Sequence, residues 1–82
     1  MEKLSRLTSR AEEEVLDIMA DESDHTIDDL VEKCLKRPWA QDANDPGLVG
    51  AAVFRVLEIY QSGSHPNVTS VERGGDVFYR LD

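Results

Sequence analysis

The chain has 82 residues, 40% hydrophobic and 32% charged, with seventeen acids against nine bases and a net charge of −8. That length supports one domain, residues 1–82, around one core, and the balance of apolar and charged residues excludes a disordered chain. No run of roughly 18 apolar residues occurs to span a membrane, and Met1–Leu7 lacks the apolar stretch of a secretory signal.

Ser9 and Glu12 have the spacing of a capping box, which predicts a first helix over about 9–20. Ala11, Val15, Ile18 and Met19 would share its buried face, with Leu16 at the edge. Residues 21–25 read as a polar connection. Thr26 is placed to cap a second helix, about 26–37, with Asp28 and Asp29 at the positive end of its dipole and Lys33, Lys36 and Arg37 at the negative end. Ile27, Leu30, Val31 and Cys34 form its apolar stripe, and Pro38 stops it. Residues 38–45 read as a loop whose Trp39 either caps the core edge or stays exposed as a contact residue.

A third helix, about 45–61, begins at Asn44 or Asp45 with Pro46 in its first turn. Leu48, Val49, Ala52, Val53, Val56, Leu57, Ile59 and Tyr60 cover an arc of roughly 180° at the helical period, which marks it as the central helix. Ser62 to Asn67 supply turn chemistry. The period then changes. Val68–Arg73 and Asp76–Leu81 flank Gly74-Gly75, a pair suited to a tight hairpin. Tyr79 and Leu81 would anchor this hairpin, about 68–81, to the helices. Val68 and Val71 lie three apart, which suggests a bulge. The predicted fold class is α+β, three helices followed by a C-terminal hairpin.

Ala11-Glu12-Glu13-Glu14-Val15-Leu16, Thr26-Ile27-Asp28-Asp29-Leu30, the helix opened by Asp45-Pro46, and Gly75-Asp76-Val77-Phe78-Tyr79-Arg80-Leu81 resemble the HARE-type helix-turn-helix domain. The layout is also similar to the penicillinase-repressor type of small winged-helix regulator. Over residues 8–82 the order resembles the winged helix-turn-helix superfamily as a whole. That resemblance implies a three-helix winged-helix domain that binds DNA through its third helix and wing, or that has lost DNA affinity and serves as a protein-docking module. Fold alone does not choose between them.

The residues weigh on both sides. A DNA-reading surface would use Gly47, Ala51 and Arg55 of the third helix with Arg73, Gly74 and Arg80 of the wing. Lys33, Lys36 and Arg37 would extend the patch, unless all these bases merely balance acids such as Glu58, Glu72 and Asp76. Phe54 and Glu58 look instead like protein contacts, with Phe54 alternatively covered by the hairpin or the Trp39 loop. Residues 12–32 hold ten acids and no lysine or arginine. This stretch either keeps the domain soluble, as in a high-salt cytoplasm, or docks a basic partner. The partners expected are therefore DNA or a protein with a basic surface, and a homodimer would double the contacts.

Catalysis is not expected. His25 and His65 stand in turns without a nearby cysteine or paired histidine, and no nucleophile elbow or phosphate loop occurs. A lone Cys34 on an apolar helix face reads as core, forms no internal disulfide, and suits a reducing cytoplasmic compartment. No cofactor or metal is expected.

Overall fold

The computed structural model describes residues 2–63 and 67–81. Four helices precede a two-stranded antiparallel hairpin: α1 Glu2–Met19, α2 Ile27–Leu35, α3 Pro38–Ala43, α4 Pro46–Gln61, β1 Val68–Arg73 and β2 Asp76–Leu81. The class is α+β, with one more helix than the sequence suggests. Residues 64–66, including His65 and part of the expected turn, lie outside the described residues.

Helix α1 starts seven residues before the expected Ser9. Its apolar stripe continues backward through Leu7 to Leu4, and Leu7 is buried as part of the core. Burying that extra face outweighs a local cap signal. Ser9 consequently sits inside the helix, its hydroxyl donating to the Ser5 carbonyl, as Thr8 does to Leu4. Glu12 is free to reach α4, where it accepts from the Tyr60 hydroxyl at 2.9 Å. α1 ends at Met19, after which Glu22 takes a left-handed φ of 62°.

Helix α2 is capped by Thr26, whose hydroxyl accepts from the Asp29 N–H at 3.1 Å. It stops at Leu35 rather than 37, because Pro38 does not merely end a helix but opens the next. The expected loop is thus partly the six-residue helix α3, with Ala40 buried, Trp39 half-buried against the core, and Asn44 closing it at φ 51°. Asp45 then caps α4 by accepting from the Leu48 N–H.

Val49, Ala52, Val53, Val56, Leu57 and Tyr60 form the buried face of α4. At the helical period they span about 140°, narrower than the expected arc. Ile59 falls outside it and is 39% exposed. This face meets Ala11, Val15 and Met19 of α1 and Leu30 and Cys34 of α2 in one core.

The hairpin pairs six residues with six, from Val68 opposite Leu81 to Arg73 opposite Asp76, in unbroken register. The expected bulge is not there. Val68 faces the core while Val71 points outward and is 48% exposed, so a spacing of three reflects two faces rather than an inserted residue. Gly74 and Gly75, at φ 59° and 87°, make the turn that the primed hairpin geometry requires. Val68, Tyr79 and Leu81 pack the hairpin onto the helices. Beyond β2, His25 and Tyr79 exchange both backbone hydrogen bonds, at 2.9 and 2.7 Å, adding a one-residue third strand to the sheet. Among the described residues no helix is long and apolar enough to cross a membrane.

Candidate functional site

Gly47, Ala51, Phe54, Arg55 and Glu58 recur at helical spacing on the solvent side of α4, and all five are exposed. Neither the hairpin nor the Trp39 segment covers Phe54, which is 48% exposed. Gly47 is not demanded by internal packing, since a Cβ there would meet only the Asp45 carboxylate at 3.7 Å. The stripe is therefore smooth at one end, aromatic in the middle, and carries one cation.

Beside Phe54 the start of α2 and the hairpin form the walls of an open groove of ≈ 410 Å³. Thr26, Ile27 and Asp28 line one side, and Gly75, Asp76, Val77 and Tyr79 the other. Val77 is 41% exposed. Phe54 and Val77 thus bring two partly exposed apolar side chains onto one groove. Among the described residues lining the groove none is lysine or arginine, and two are aspartate.

Of the six candidate bases, Lys33, Lys36, Arg37, Arg55, Arg73 and Arg80, none lines the groove and four are in ion pairs. Arg37 pairs with Glu14 at 2.9 Å and Lys33 with Asp29 at 3.3 Å, while Lys36 reaches Glu32 at 4.0 Å. Arg73 pairs with Asp24 and lies over the Phe78 ring, 4.8 Å from its centroid. The acids that balance these four bases come from the acidic stretch, not from Glu58, Glu72 or Asp76. Arg55 and Arg80 are exposed and form no ion pair among the described residues. They are not neighbours on one strip: Arg55 is on α4, whereas Arg80 alternates with Tyr79 and Leu81 and so faces away from the core with Val71, Arg73 and Phe78. Gly74 stands at the hairpin tip. The structure gathers the α4 candidates into one stripe but separates them from Arg73 and Arg80.

A second cluster was not foreseen. His25 is a buried residue, not a solvated turn residue, and is 6% exposed. Its Nδ1 lies 2.8 Å from Asp29 Oδ2, and its Nε2 lies 3.0 Å from Asp21 Oδ1 and 3.2 Å from Ser23 Oγ. Burial alone would lower its pKa. The hydrogen bonds to Asp21 and Asp29 and the Asp21 charge outweigh burial and the opposing Lys33 charge, and the net shift is upward. His25 and the Ser23 N–H hold Asp21 well below the usual carboxylate range, and His25 followed by Lys33 lowers Asp29. The only sequence signal was the spacing of four on either side, Asp21-His25-Asp29. The two carboxylates meet opposite ring nitrogens, so they do not converge on one ion. Among the described residues no group of three or more His, Cys, Asp or Glu is arranged to hold a metal.

Comparison with protein families, with curated proteins and with solved structures finds no match to this chain.

Proposed function

We propose that this chain is a winged-helix regulatory domain that docks a protein partner through the groove between α4 and the hairpin. Its order of helices, central α4, hairpin and single-residue third strand supports the winged-helix reading. In that architecture α4 is the recognition helix and β1–β2 the wing.

One observation carries the choice of partner. Where recognition helix and wing adjoin, a DNA-binding domain needs cations for phosphate, and this surface instead offers Phe54, Ile27 and Val77 between Asp28 and Asp76. An apolar segment flanked by lysine or arginine complements it in both shape and charge. The net charge of −8 gives the domain a long-range potential of the same sign, which speeds encounter with a basic partner.

The DNA reading has its own support in the exposed Arg80 on the outer hairpin face and Arg55 on the α4 stripe. Titrating ¹⁵N-labelled protein separately with a lysine–leucine peptide and with a random DNA duplex, at low and then moderate salt, tests both. The docking reading expects amide shifts at Ile27, Phe54 and Val77 with the peptide, lost in Phe54→Ala. Shifts at Gly47, Ala51, Arg55, Gly74 and Arg80 with the duplex, collapsing as salt rises, would overturn it in favour of DNA.

A further inference from the structure

We infer that His25 is a proton-operated latch, whose imidazolium form holds the Asp21–His25 segment and, through the His25 backbone, the hairpin against the start of α2. The hydrogen-bond geometry distinguishes the two protonation states of the ring. A neutral imidazole has one N–H donor and one lone pair, whereas both ring nitrogens here face carboxylate oxygens. Only the imidazolium donates to Asp29 and Asp21 together. After loss of a proton Nδ1–H still donates to Asp29, while Nε2 becomes an acceptor. The Ser23 hydroxyl, 3.2 Å away, can donate to it, and Asp21 is then repelled. Asp21 is the exposed partner, held beyond His25 by the Ser23 N–H at 2.9 Å, and its carboxylate can turn toward water. Deprotonation thus exchanges a carboxylate for a hydroxyl at one ring atom.

That exchange reaches the hairpin because residue 25 is its backbone attachment. The two His25–Tyr79 hydrogen bonds are the only backbone–backbone bonds joining the hairpin to the helical part among the described residues. A two-stranded hairpin is marginal by itself, so it depends on such attachment. Asp24, adjacent in the chain, adds the ion pair to Arg73 of β1. The charged groups around the ring are Asp21 from the α1–α2 connection and Asp29 and Lys33 from α2, with β2 facing it through the Tyr79 backbone. The two carboxylates favour the imidazolium and Lys33 opposes it. Since the closed form binds the proton more tightly than an unconstrained histidine, closure is strongest below about pH 6.5 and weakens as pH rises through the closed-state pKa. A range near neutrality is where a histidine switch can act.

The seam closed by this latch separates Thr26–Asp28 from Val77–Tyr79, the two walls of the groove. Control of partner binding by pH follows, and that consequence alone rests on the docking reading above. The test needs no partner. The His25 imidazole is followed by ¹⁵N NMR while hydrogen-exchange protection of the Tyr79 and His25 amides, corrected for intrinsic rates, is measured from about pH 5.5 to 8.5. The latch expects both ring nitrogens protonated at the acid end and a His25 pKa above about 6.5. Protection of these two amides should fall by about tenfold for each unit of that excess. Asp21→Asn, at an exposed position, keeps the fold while lowering the His25 pKa and flattening the pH dependence of protection. A Tyr79 amide whose protection stays constant while His25 titrates overturns the latch, as does a His25 pKa at or below the ordinary value.

Discussion

Truncating two residues three apart on α4 separates its two faces. Leu57 is 1% exposed and Phe54 is 48% exposed. Leu57→Ala removes buried methyl groups and leaves a cavity among α1, α2 and α4, at a cost of about 3 kcal/mol. A chain of this size has roughly 4–12 kcal/mol of total stability, so the loss is a large fraction of the whole and lowers Tm by roughly 12–24 °C. Phe54→Ala is a different case. Full burial of such a ring is worth up to about 3 kcal/mol, and about half of it already lies in water, leaving roughly 1.5 kcal/mol to lose. Alanine's better helix propensity returns about 0.5 kcal/mol, for a net cost near 1 kcal/mol. Urea unfolding followed by circular dichroism gives both values from the shift in midpoint at constant slope. A Phe54→Ala cost equal to that of Leu57→Ala would show the ring to be core and refute the assignment of α4's outer face. So would a Leu57→Ala cost under about 1 kcal/mol.

Thermal stability should peak between about pH 4 and 6.5: the lowered Asp21 and Asp29 contributions are lost as pH falls through their folded values, and the raised His25 contribution is lost as pH rises through its own, which a Tm series across pH checks. Tyr60→Phe should cost about 1–2 kcal/mol in urea unfolding, because it removes the bond to the part-buried Glu12 carboxylate. In the wild type the same bond, then burial, raise the Tyr60 pKa, so ultraviolet titration should show one tyrosine ionising above the ordinary range. Cys34 is fully buried, and burial followed by the Glu14 charge, against Arg37, pushes its thiol up to about 11. A thiol reagent should therefore leave Cys34 unmodified in the native protein and react once urea unfolds it; rapid native labelling would contradict its place in the core.

The candidate stripe on α4 was legible because helical periodicity sorts residues by face. Gly47, Ala51, Phe54, Arg55 and Glu58 fall opposite Val49, Val53 and Leu57 whatever α4 packs against. The groove beside Phe54 was not legible, because its walls come from residues 26–28 and 75–79, far apart in the chain. The same holds for the ion pairs. The sequence left Arg73 either a phosphate contact or a charge balanced by Glu58, Glu72 or Asp76, and the fold instead brings Asp24 beside it. The false capping box at Ser9 and the false bulge at Val71 have a common origin. Each is a local spacing rule that a longer apolar stripe or a second strand face overrode.

Periodicity, caps and turn residues by themselves determined that α2, α4 and the hairpin exist, which faces of α2 and α4 are apolar, and that Gly74-Gly75 joins β1 to β2. These are properties of consecutive residues and need no partner. Only tertiary packing decided how far α1 extends, that Pro38–Ala43 is helical, and that His25 lies buried between two carboxylates with its backbone bonded to Tyr79. The reason is physical: a histidine's charge state and a hairpin's stability depend on groups that become neighbours only after the core has closed.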